Sequence, residues 1–141
     1  MPAPIMPSAG QIEAFRRFLY AGPEDLSVRL FKNDYTPIAA SVTGDFTVAD
    51  FTGYSSQTLT ASQSASTWAV PAVSSGRAYS IYGATPILWQ AASDQTIYGW
   101  YLVGITSGVC YLAQRYDEPQ ELLAASSNAI SFTPKLTFRG L

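Results

Sequence analysis

The sequence contains no histidine. That removes the commonest general base, the partner that activates serine and cysteine nucleophiles, and the commonest metal ligand. It has one cysteine, Cys110, so no disulfide can form within the chain and a structural zinc site lacks ligands. Cys110 lies in the apolar run Gly108-Val109-Cys110-Tyr111-Leu112, where cysteine usually behaves as a small buried hydrophobe, and core packing is its expected role. Charge is scarce too. Asp, Glu, Lys and Arg make up 13% of the chain, about half the usual share. The 8 basic and 10 acidic residues leave a net charge of −2, and no basic run exceeds Arg16-Arg17. Nucleic-acid binding draws its affinity from neutralised phosphates, and membrane-surface binding commonly uses a basic amphipathic helix. Neither footprint is present, so neither partner is expected. No apolar run is long enough to span a bilayer. The start, Met1-Pro2-Ala3-Pro4-Ile5-Met6-Pro7, lacks the basic and apolar regions of a signal peptide, so synthesis in the cytosol is the expectation. Glycine-rich phosphate loops and the G-x-S-x-G elbow are missing as well. These absences point to a protein with no catalytic residues, no metal and no cofactor.

What is there is the composition of a folded domain. At 141 residues and 48% hydrophobic, the chain can bury one core without staples. Two readings fit the low charge: a surface largely covered by partners, or an uncharged β surface rich in Ser and Thr. Three prolines in the first seven residues forbid a regular helix there and favour an extended arm, residues 1–8. Ser8-Ala9-Gly10-Gln11 has capping-box spacing, and Ile12, Phe15 and Leu19 recur at helical intervals. The pattern predicts an amphipathic helix over residues 9–22, closed by Gly22-Pro23.

From residue 23 to 141 the period turns to two. Leu26, Val28 and Leu30 alternate with Ser27, Arg29 and Phe31. Thr47-Val48-Ala49-Asp50 resembles a second capping sequence with room for one helical turn. Strands are expected near Tyr54 to Thr60 and over Trp68–Val73, Tyr79–Tyr82, Pro86–Gln90, Thr96–Ile105, Val109–Tyr116, Glu121–Leu123 and Ala129–Phe138. Turn chemistry separates them at Ser74-Ser75-Gly76, Thr106-Ser107-Gly108, Asp117-Glu118-Pro119 and Ser126-Ser127-Asn128. Pro134 interrupts the last run, which suggests an edge or a bulge. Short strands at this spacing, with no internal repeat, give the expected fold: an all-β, jelly-roll-like β-sandwich with a short N-terminal helix and a proline-rich arm.

Two constellations could carry chemistry. The carboxylates Asp45 and Asp50, or Asp117 and Glu118, could form the acid pair of a glycosidase. Local turn chemistry explains both pairs more simply. Trp68, Trp89, Trp100 and the nine tyrosines could line a sugar-binding groove, but aromatics in strands usually fill a core. In Tyr98-Gly99-Trp100-Tyr101, alternation puts Tyr98 and Trp100 on one sheet face and Tyr101 on the other.

Five segments in order resemble a group of small tailed-bacteriophage structural proteins. They are Leu30-Phe31-Lys32-Asn33-Asp34-Tyr35-Thr36-Pro37, then Asp50-Phe51-Thr52-Gly53-Tyr54, then Ile97-Tyr98-Gly99-Trp100-Tyr101-Leu102-Val103, then Leu112-Ala113-Gln114-Arg115-Tyr116, and finally residues 130–138. The family pattern has another aromatic where this chain has Trp, and an acid where it has Gln114. The resemblance implies a virion component without enzymatic activity, on the capsid surface: a capsid decoration (cement) protein that clamps the major capsid protein and is often a homotrimer. In that reading Pro2, Pro4, Ile5, Met6 and Pro7 of the arm, with Arg16 and Arg17 of the helix, make the partner contacts. The helix could instead close its own sandwich, with Ile12, Phe15 and Leu19 as core. The alternatives are a tail or baseplate component (an adaptor or a receptor-contacting module) and a carbohydrate-binding module.

Overall fold

The computed structural model describes residues 5–20, 22, 24–64, 66–83, 86–126 and 128–137. It is mostly β-sheet with one short N-terminal helix. That helix, α1, spans Ser8–Phe15 and continues as a π-helical turn, Arg16–Tyr20. Among the described residues nine strands follow: β1 Leu26–Phe31, β2 Gln57–Leu59, β3 Ala72–Ser74, β4 Arg77–Ile81, β5 Ile87–Gln90, β6 Gln95–Gly104, β7 Cys110–Leu122, β8 Ala129–Phe132 and β9 Lys135–Thr137. All of these strands pair antiparallel. The chain forms two compact units that do not follow sequence order. Unit 1 gathers Met1–Pro23, Thr60–Pro86 and Thr133–Leu141; unit 2 gathers Glu24–Leu59 and Ile87–Phe132.

Unit 1 is α1 on a three-stranded sheet, order β3-β4-β9. Its β3–β4 hairpin turns through Ser75 (φ 51°) and Gly76 (φ 73°), the paired left-handed geometry that matches strand twist. Trp68, expected to open a strand, instead makes isolated bridges to Gln63 and Tyr82 and is buried. The expected run Ala129–Phe138 is cut in two: β8 belongs to unit 2 and β9 to unit 1, with Pro134 between them. Phe138, Pro23 and Ser127 lie outside the described residues.

Unit 2 holds a four-stranded sheet, order β2-β1-β6-β7, and the two-stranded pair β5-β8. Trp100 of β6 packs on Phe132 of β8 at 4.8 Å between ring centres, so the two sheets share apolar contact. On β1, Leu26, Val28, Leu30 and Phe31 are all buried, because both its faces are covered. Phe31, Phe46, Tyr101 and Val103 form one core cluster, in which Phe46 stacks on Tyr101 at 4.6 Å. Gly99 permits it: a Cβ there would meet the Phe31 ring and the Gln114 carbonyl.

Three expectations change here. Residues 47–50 form no helical turn. Val48 bridges Phe31, and Asp50 is bound by the side chains of Lys32 and Gln95; the short 3₁₀ turn lies earlier, at Thr43–Asp45. The expected turn Asp117-Glu118-Pro119 is part of β7, which merges with the segment Glu121–Leu123. Two steps along β6, Ile97 to Gly99, face five along β7, Arg115 to Gln120, so the polar residues are accommodated as a bulge rather than a reversal. The same irregularity breaks alternation: Tyr98 packs with the Phe31–Tyr101 cluster and under the Arg115 guanidinium, not with Trp100.

Candidate interaction surface

The N-terminal arm is anchored at its base by one side chain. Gln11 is 5% exposed and fully satisfied. Its Nε2 donates to the carbonyls of Met6 (2.8 Å) and Gly76 (3.2 Å), and its Oε1 accepts from the Ala78 N–H (2.7 Å). Gln11 therefore does not cap Ser8 as its spacing suggested; Pro7 occupies the cap position with no side-chain cap bond. The buried face of the helix runs through Gln11, Phe15 and Leu19, with Ile12 half-buried, and Tyr20 donates from its hydroxyl to the Ala69 carbonyl at 2.7 Å. This face is spent inside unit 1.

The predicted partner-binding residues fall on the other side of that anchor. Ile5 is 88% exposed, Met6 and Pro7 are exposed, and Pro2 and Pro4 lie outside the described residues. Arg16 and Arg17 are both exposed, and Arg17 pairs with Glu13 one helical turn back at 3.4 Å. Positions 5–7, 16 and 17 are thus all exposed.

A second surface, which sequence reading missed, belongs to unit 2. Residues 37–41 run beside the start of β7 and enclose a groove of about 350 Å³ lined by Pro37, Ile38, Ala39, Cys110, Leu112 and Ala113, among others. Ile38 is 65% exposed, and Val109, Tyr111 and Leu112 are exposed beside it. β7 is an edge strand, and its first half presents apolar side chains to solvent. Cys110 is half-buried and packs against the Phe31–Tyr101 core cluster, and burial raises its thiol pKa. The available signal was Pro37-Ile38-Ala39-Ala40, four apolar residues in a loop.

Most of the remaining polar residues knit unit 2 together. Asn33 donates to the Asp45 carbonyl (2.9 Å) and accepts from the Thr47 N–H (2.8 Å). Lys32 donates to Asp50 at 2.7 Å, and with Gln95 holds the Asp50 carboxyl below its usual pKa. Asp45 accepts from the Val42 N–H and the Tyr35 hydroxyl. Arg115 donates to Asp34 and to the Tyr35 carbonyl. Residues of 30–37, 50–54 and 112–116 are therefore joined to one another, or to the residues between them, within unit 2. Trp68 and Trp89 are each 1% exposed, so neither offers a face for stacking a sugar. Among the described residues no group of three potential metal-ligating side chains converges, and no helix is long and apolar enough to cross a membrane.

No protein-family model, curated protein or solved structure matches this chain. Its functional reading rests on the two surfaces and on the sequence.

Proposed function

We propose that the protein is a non-enzymatic structural component of a tailed-bacteriophage virion, a capsid decoration (cement) protein that binds the major capsid protein at the capsid surface, as a homotrimer. The five ordered segments support the family. The observation that carries the binding role is the arm: an apolar side chain, Ile5, stands almost wholly in solvent beside a base fixed by buried Gln11. Proline restricts such an arm before it binds, which lowers the entropy cost of ordering it on a partner. A jelly-roll-like sandwich is our proposal for the finer fold; the antiparallel pairing and the Trp100–Phe132 contact between sheets of unit 2 support it. Copy number per purified virion, by quantitative mass spectrometry against the most abundant capsid protein, tests the role. A ratio approaching that of the capsid protein is expected. A handful of copies would move the protein to the tail or baseplate, and absence from the particle would overturn both assignments.

A further inference from the structure

The groove along β7 and the arm have complementary features, and each leaves apolar side chains in solvent. We propose that the groove between residues 37–41 and the edge of β7 receives the N-terminal arm of a second copy, added as a short strand with Ile5 as its apolar anchor. In extended chain, alternate residues direct their backbone N–H groups to the same edge. Were residues 2–5 extended, Pro2 and Pro4 would leave no donor on one edge of that stretch, while Ala3 and Ile5 would keep theirs on the other. A strand of this kind can add to one sheet edge and cannot recruit a further chain on its far side. β7 supplies the edge, since it ends the order β2-β1-β6-β7, and Cys110–Ala113 line the groove. The fit is also chemical. No charged side chain lines the groove, and none occurs in residues 1–7, so docking desolvates no charged side chain on either partner. Ile38 at 65% exposure and Leu112 at 40% would cover Ile5, itself 88% exposed.

An arm seated in the next copy's groove is a heterologous contact, which closes into a ring when the rotation between copies allows. This deepens the decoration reading and rests on it only for where the ring acts: the arm then serves shell binding by closing the ring, which presents several shell contacts at once, and avidity follows.

The lone cysteine makes the test direct. Ala3→Cys and Met6→Cys, which bracket the anchor and leave it in place, would each be oxidised in the otherwise intact protein. Covalent dimers and higher oligomers joined between the new cysteine and Cys110, identified by peptide mass spectrometry and abolished by Cys110→Ser, are expected from at least one of them. Light-scattering mass measurements should show the wild type as an oligomer at micromolar concentration. Deletion of residues 1–7, and separately Leu112→Asp, should give monomers with unchanged circular dichroism. Cross-links confined to single chains, dimers that survive Cys110→Ser, or an oligomer that persists without the arm would each overturn the proposal. No particle enters these measurements, so failure of the virion assignment leaves their outcome untouched.

Discussion

Glu24 accepts four hydrogen bonds at the turn between β6 and β7: from the Ser107 hydroxyl and N–H, the Tyr111 hydroxyl and the Thr106 N–H, at 2.6–2.9 Å. These donors, those of Ser107 above all, lower its pKa from 4.5 to about 2. A carboxylate whose folded-state pKa is depressed adds stability that is complete above the unfolded value and is lost as pH falls through the folded one. Thermal melts of the wild type should therefore lose stability between pH 4.5 and about 2, and Glu24→Gln should lose less over the same window. Parallel curves for the two proteins would refute the role. Gly104 makes room for this carboxylate, since a Cβ there would strike it. Gly99 has a similar duty toward Phe31. Gly99→Ala should cost roughly 1–3 kcal/mol by overpacking, read as a lower urea midpoint at unchanged slope. Neither glycine was legible beforehand. Each looks like an ordinary strand interruption until the residue that crowds it, 68 or 80 positions away in the chain, is known to sit there.

At the scale of elements, the helix and hairpins show where sequence pattern suffices. The β6–β7 hairpin falls where Thr106-Ser107-Gly108 placed it, with Gly108 at φ 71°, because its turn chemistry is local. The helix begins one residue from its expected start, for the same reason. Its buried face was misassigned by one position, since Gln11 reads as a capping residue and becomes a buried link to the β3–β4 hairpin. Gln11→Ala should lower stability by about 1–3 kcal/mol, because it leaves the buried Ala78 N–H without its acceptor. The loss should appear in hydrogen exchange as faster exchange at Ala78. Slow exchange retained in the variant would show that the link is dispensable. The β7 bulge and the irregular segment 47–50 were not readable, because long-range pairing with β6 and β1 overrides the turn and capping preferences of those residues. The groove depends on the same kind of information: it exists only because residues 37–41 come back beside β7.

At the scale of the whole molecule, the low charge and the exposed arm belong together. In the proposed decoration role, a low-charge surface and an apolar arm held at its base would both be covered by partners. Deletion of residues 1–7 should leave the circular dichroism spectrum of the isolated protein unchanged, because the side chains of Ile5, Met6 and Pro7 are exposed. The same deletion should reduce occupancy on particles several-fold by quantitative mass spectrometry. Unchanged occupancy would exclude the arm from attachment. The interleaving of the units has a further consequence, for how the chain is made. The central strand of the unit 1 sheet, β4, pairs with β9, so a nascent chain cannot complete that sheet until residues 135–137 have left the ribosome. A message cut short near its 3′ end would yield a polypeptide with the β4 edge open, the kind of unpaired edge that invites aggregation. Such products would keep that edge available to one another, and only completed chains would close the unit 1 sheet.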